Sequence, residues 1–144
     1  MKNDINMIQD DIIKEFSQFD EWFDTYEYLI DMGNTLKSSD THLKVEQYAI
    51  GGCQSVVWLK AELQQDSIVF SADSDSKIVK GMLSLLLRVL NNQTPEDIDQ
   101  ADLYFIDEIG LQSHLSPSRR NGLSSIIKEM KSYAKKYSSS RTTK

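Results

Sequence analysis

The chain has 144 residues, 16 Lys and Arg against 22 Asp and Glu, and a single cysteine. One domain is expected, and a domain of this length buries roughly 68–70% of its unfolded surface, enough to fold without disulfides or a structural metal. One cysteine and two histidines exclude, within one chain, a disulfide framework, a paired-cysteine zinc site and a cysteine-ligated iron–sulfur cluster. A net charge of −6 argues against nucleic acid, whose phosphates need a basic face, and favours protein partners with basic patches. The start, Met1 to Asn6, lacks the basic segment and apolar run of a secretory signal, so a cytoplasmic chain is expected. The apolar stretch from Ile78 to Leu90 is interrupted by Lys80 and Arg88 and falls short of the ~20 residues that span a bilayer, so no membrane association is expected.

Ile5, Ile8, Ile12, Phe16 and Phe19 recur at three- and four-residue steps, predicting a first helix capped by Asn3 or Asp4. Asp20 is a second candidate cap, and Trp22, Phe23, Tyr26, Leu29 and Ile30 keep the helical period up to Gly33, which suits the left-handed position after a helix. From Asn34 to Glu46 the pattern fails, and Ser38-Ser39-Asp40-Thr41 has a loop composition. The period becomes two at Val57, Leu59, Ala61 and Leu63 and resumes at Ile68 and Phe70 beyond Gln64-Gln65-Asp66, as in a β-hairpin. A short strand from Val45 to Ile50 would make three.

Ser74 or Asp75 is a candidate cap for a helix beginning near Ser76 and burying Ile78, Val79, Met82, Leu83, Leu86 and Leu90. Gly81 in its middle costs up to ~1 kcal/mol relative to Ala, which points to close packing there. Thr94-Pro95-Glu96-Asp97 opens a short helix, and Ser116-Pro117 opens the last one, with Leu123, Ile126, Ile127, Met130, Ala134 and Tyr137 as its stripe. The polar tail from Ser138 to Lys144 is expected to fray. Helices, a small antiparallel sheet of about three strands, then helices make an α+β fold with helices against one sheet face.

Cys53 lies in Ile50-Gly51-Gly52-Cys53-Gln54-Ser55-Val56-Val57-Trp58, between a glycine pair and the start of a strand. A cysteine kept for packing more often sits inside an apolar periodic stretch. The two glycines offer unusual dihedrals and leave the approach clear of side chains. This context leaves a reactive thiol and an inert one equally open. Protease chemistry would need a base and an orienting group beside the thiol. His42 and His114 are the candidate bases, but neither sits in a protease-like signature, and a surface or capping histidine is the better reading. Asp73 and Asp75 read as capping acids at a helix start, whereas Arg119 in the first turn of the last helix opposes the helix dipole and so implies a partner. Trp58, Leu83 and Leu86 read as core.

Three blocks in order carry a resemblance: Ile50 to Trp58, Ala72-Asp73-Ser74-Asp75-Ser76-Lys77-Ile78-Val79-Lys80-Gly81, and Gly110-Leu111-Gln112-Ser113-His114-Leu115-Ser116-Pro117-Ser118-Arg119-Arg120-Asn121-Gly122-Leu123. Together they resemble the SufE family, sulfur-acceptor proteins that partner a cysteine desulfurase in iron–sulfur cluster assembly. The likeness runs over about residues 19–137 and includes Leu29-Ile30-Asp31-Met32-Gly33 and Thr94-Pro95-Glu96-Asp97-Ile98.

The resemblance implies one SufE-like domain over residues 1–144, with a fold like that of SufE and IscU. Cys53 matches the sulfur-accepting cysteine, Gly51, Gly52, Gln54 and Ser55 match its loop, and Asp73, Asp75, His114 and Arg119 belong near that loop or face the partner. The chain would then be a persulfide carrier and activator rather than an enzyme. It would hold no cofactor, the pyridoxal phosphate belonging to a desulfurase of the SufS or CsdA type, and the sulfur would pass to a scaffold such as SufB. The family's cysteine rests against apolar side chains, which implies a loop that moves on docking. A cluster scaffold would need several thiolates, and a plain interaction domain with an incidental cysteine is the remaining alternative. Gly51 and Ser76 depart from the family pattern.

Overall fold

The computed structural model describes residues 4–36, 46–51 and 55–142. Helix α1 spans Ile5–Phe16, with Asp4 as its N-cap accepting the Asn6 amide at 2.9 Å. Helix α2 spans Trp22–Asn34. Its N-cap is Glu21 rather than Asp20, with no side-chain capping bond, and Gly33 lies inside the helix rather than after it. Strands β1 (Val57–Gln64) and β2 (Ser67–Ser74) form the expected hairpin, Val57 opposite Ser74 through Gln64 opposite Ser67. Its two-residue turn has no glycine, and Gln65 itself takes the left-handed φ of 58°.

Among the described residues the third strand is not formed. Val45 lies outside the described residues, and Glu46–Tyr48 closes into a 3-10 turn, with the Ala49 amide bonded back to Glu46. That local bond leaves only a bridge from Ala49 to Trp58 and the Ile50 amide on the Val57 carbonyl at 2.8 Å. The outer edge of β2 is covered instead by the chain after helix α3 (Lys77–Leu90): Asn91 Oδ1 accepts the Phe70 amide at 2.7 Å, and Ile68 bridges to Gln93. Covering an edge in this way removes a template for aggregation.

Val57, Leu59 and Ala61 of β1 and Ile68, Phe70 and Ala72 of β2 are buried on one face, against α3 and the long helix α7 (Pro117–Thr142). The chain is therefore α+β, with helices on one face of a two-stranded sheet. Helix α4 is Pro95–Gln100, capped by Thr94 as its Thr-Pro opening predicts. Two one-turn helices, α5 (Phe105–Glu108) and α6 (Leu111–His114), join it to α7, separated by Gly110 at φ 81°. They bury Phe105, Ile106 and Leu111. Helix α7 continues to Thr142, beyond the point where its polar composition predicts fraying. Ser138 donates to Glu96 there at 3.1 Å.

Helices α2 and α3 touch backbone to backbone. A Cβ at Gly81 would stand 2.3 Å from the Leu29 carbonyl oxygen, and one at Gly33 would stand 2.7 Å from the Gly81 nitrogen. Both glycines are thus selected by proximity, which is why Gly33 lies within its helix. Glu15 ties the same region together, bonding Arg88 at 2.8 Å and accepting the Tyr28 hydroxyl. Burial pushes the Glu15 carboxyl up, but the bonds from Arg88 and Tyr28 and the Arg88 charge outweigh it and hold the group below its ordinary value.

Candidate functional site

Gly52, Cys53 and Gln54 lie outside the described residues, as does His42. Their chain neighbours are placed. Ile50 and Val57 are bonded to each other at the edge of the sheet, so these two described anchors on either side of Cys53 lie together. Asp75 fixes the return: its Oδ1 accepts the Val56 amide at 3.1 Å, and its own amide donates to the Val56 carbonyl at 3.3 Å. Ser74 adds a hydroxyl bond to the same carbonyl at 2.7 Å.

Neither Asp73 nor Asp75 caps α3, so their reading as capping acids is corrected. Ser76 is the cap, its hydroxyl accepting the Val79 amide at 3.4 Å. The local reason is that the Asp75 and Ser74 side chains are already engaged with Val56. Ser76 therefore has a structural use here. Asp73 accepts the Ser74 amide at 2.8 Å and lies 3.7 Å from Lys80, an ion pair between the end of β2 and the first turn of α3.

Two clefts lie against described chain neighbours of Cys53, one at Ser55 and one at Gly51. Ser55 lines the first with Val57, Val79, Met82, Leu123 and Ile126, and Arg119 stands at its side. This cleft is mostly apolar, with one cation. Arg119 is half-buried, its amide donates to the Ser116 hydroxyl at 3.3 Å, and no ion pair joins it to a carboxylate among the described residues. Gly51 lines the second cleft with Ala49 and Ile50, facing Ser125, Lys128, Glu129 and Ser132 of α7. These four polar residues repeat at three- and four-residue steps on one helix face, a pattern present in the sequence but hidden there by the serine-rich composition around it. Val56, between Ser55 and the sheet, is 44% exposed.

His114 takes a different position. Its ring stacks on Trp22 with centroids 4.5 Å apart and planes 10° from parallel, and Nδ1 donates to the Gly110 carbonyl at 2.9 Å. A carbonyl oxygen only accepts, so Nδ1 carries a hydrogen. The histidine thus fastens the turn before α7 to the start of α2. The structure brings together Ser55 with Arg119, and Asp75 with the chain leaving the cysteine, while His114 engages Trp22.

Among the described residues no group of three or more His, Cys, Asp and Glu is placed to hold a metal ion. Among the same residues no helix is long and apolar enough to cross a membrane.

Comparison with known proteins gives this geometry a context. A family model described as SufE, the Fe-S metabolism associated domain, matches residues 10–134. An uncharacterized SufE-like protein of Rhizobium meliloti is 35% identical over 130 residues, covering 87% of this chain and 93% of that protein. One from Synechocystis sp. is 34% identical over 123 residues, covering 85% of this chain and 77% of that one. The solution structure of a hypothetical protein from Thermus thermophilus superposes with a TM-score of 0.74 at 16% identity, over 90% of this chain and 94% of that one. At that identity the likeness concerns the fold.

Proposed function

Because the chain belongs to the SufE family, which is associated with Fe-S metabolism, we propose that it is a sulfur carrier in which Cys53 accepts sulfur from a cysteine desulfurase. The supporting observation is the mostly apolar cleft beside Ser55, two residues from Cys53, with Arg119 at its side. A cysteine delivered there meets a surface that excludes water and a cation that favours the thiolate.

The chemistry is a thiol exchange. The donor presents a cysteine persulfide, R–S–S–H, and the Cys53 thiolate attacks the outer sulfur. The donor's S–S bond breaks as the new one forms, giving Cys53–S–S–H and the donor thiolate, with the proton kept on the transferred sulfur and no outside oxidant required. An unperturbed thiol near pKa 8.5 is only a few per cent ionised at pH 7, so positive charge from Arg119 raises the reactive fraction. Pyridoxal phosphate belongs to the donor, of SufS or CsdA type, and the onward acceptor is a cluster scaffold such as SufB. In this reading the protein is a cytoplasmic activator and carrier without a cofactor of its own.

The test is to mix the protein with desulfurase and cysteine and to follow both sulfide release and the mass of the chain. Stimulated release and a gain of about 32 Da, one sulfur, are expected for the native chain and neither for Cys53→Ser. No gain in mass and no stimulation would leave the reading of an interaction domain with an incidental cysteine.

A further inference from the structure

Along β2 the core-facing positions are Ile68, Phe70, Ala72 and then Ser74. The first three are apolar, as a buried face requires, and the fourth is a hydroxyl only 3% exposed. Burial alone would be served as well by alanine, so the hydroxyl is explained by its bonds. It donates to the Val56 carbonyl at 2.7 Å and accepts the Ser76 amide at 3.2 Å, linking the start of β1 to the cap of α3. Val57, opposite Ser74 in the hairpin, is held by burial. Val56 is 44% exposed, so packing does not orient its peptide, and the bonds from Ser74 and Asp75 do. Ser55, the residue before it, lines the cleft that Arg119 borders.

We infer that Ser74 is a positioning residue for the sulfur transfer: through the Val56 peptide it holds Ser55, and the chain running from it to Cys53, beside Arg119. The inference rests on the sulfur-carrier reading, in which the Cys53 thiolate is the attacking species. Only two residues, at about 3.5 Å each, separate Ser55 from Cys53, so a turn of the Val56 peptide carries through to the distance between thiol and guanidinium. The effect of a cation on a thiolate falls off with that distance. Without the Ser74 hydroxyl the Val56 carbonyl keeps only the longer bond from the Asp75 amide, and the Ser76 amide loses the acceptor it has in Ser74. Asp75 shares the task, but its charge acts on a nearby thiolate directly; Ser74 is neutral, so its removal tests geometry alone.

Cys53 is the only cysteine, so the rate of alkylation by iodoacetamide against pH gives the apparent pKa of its thiol. Arg119→Ala is expected to raise that value by about one pH unit and Ser74→Ala by about half of one, a loss of roughly threefold in rate at pH 7. Ser74→Ala made in the Arg119→Ala chain should add nothing, since no cation is left to be placed against. Ser74→Thr keeps the hydroxyl and should titrate like the native chain. Where Ser74→Ala does not fold, Ser74→Val against Ser74→Thr makes the same comparison at nearly constant volume. A hydroxyl that only stabilises the fold would lower the melting temperature of Ser74→Ala and leave the pH profile unmoved, and that result overturns the inference. So does a shift that persists without Arg119, or an Arg119→Ala profile identical to the native one. The carrier reading is judged separately, by the gain of one sulfur from desulfurase and cysteine. If the native chain gains it while Ser74→Ala titrates as native, the reading stands without the inference; if the native chain gains none, both fall.

Discussion

A methyl group added at Gly81 would stand 2.3 Å from the Leu29 carbonyl oxygen, whereas one added at Gly51 would meet no atom within 4 Å. The two glycines mark two kinds of construction in one small protein. Around Gly81, helices α2 and α3 are in backbone contact, and α3 is buried along most of its length. Around Gly51, the chain runs exposed over a polar cleft facing α7. One region has no room for change and supplies stability. The other has room, and it adjoins the cysteine that the proposed function needs. Asp75, one residue before the cap of the helix that carries Gly81, holds the start of β1 through Val56.

Three substitutions test this division. The largest effect is expected at Gly81→Ala: overpacking against the Leu29 carbonyl should cost about 3 kcal/mol in urea denaturation. A variant as stable as the native chain would refute the close contact. A middling effect is expected at Glu15→Gln, which removes the partly exposed pair with Arg88 and should cost about 1 kcal/mol at pH 7. Because the Glu15 carboxyl is held below its ordinary value, its contribution is present above about pH 4.5 and is lost as pH falls through the lowered value. Native and Glu15→Gln stabilities should therefore converge in acid; a gap that persists to about pH 2 would deny Glu15 its electrostatic role. The smallest effect is expected at Gly51→Ala, within about 0.5 kcal/mol of native by thermal melting, since Gly51 has no positive φ and open space around it. A loss above about 1 kcal/mol would mean that the segment around Gly51 is packed rather than open.

Much of the frame was legible in the sequence because it rests on periodicity. The α1 stripe, the hairpin, the Ile78–Leu90 helix and the Thr94-Pro95 start all follow from spacing and caps. What escaped depends on neighbours distant in the chain. Gly33 reads as a helix stop until Gly81 lies against it. Ser74 and Asp75 read as caps until Val56 engages them, leaving Ser76 for the helix. The strand before Gly51 fails because one local 3-10 turn takes its hydrogen bonds. The one-turn helices α5 and α6 are too short to show a period. At the site, block resemblance pointed to Ser55 and Asp75, and resemblance together with the helix-dipole argument pointed to Arg119, whereas Phe23, which the helical period groups with the apolar residues of α2, is 65% exposed.

The bond between Ile50 and Val57 fixes both ends of the segment that holds Cys53 at one place on the sheet edge. Cys53 is three residues from Ile50, so at about 3.5 Å per residue its Cα can lie no more than roughly 10 Å of chain from that anchor. In the proposed function, sulfur on Cys53 would therefore travel on a short leash, and donor and acceptor would each have to bring their own reactive atoms to this sheet edge in turn.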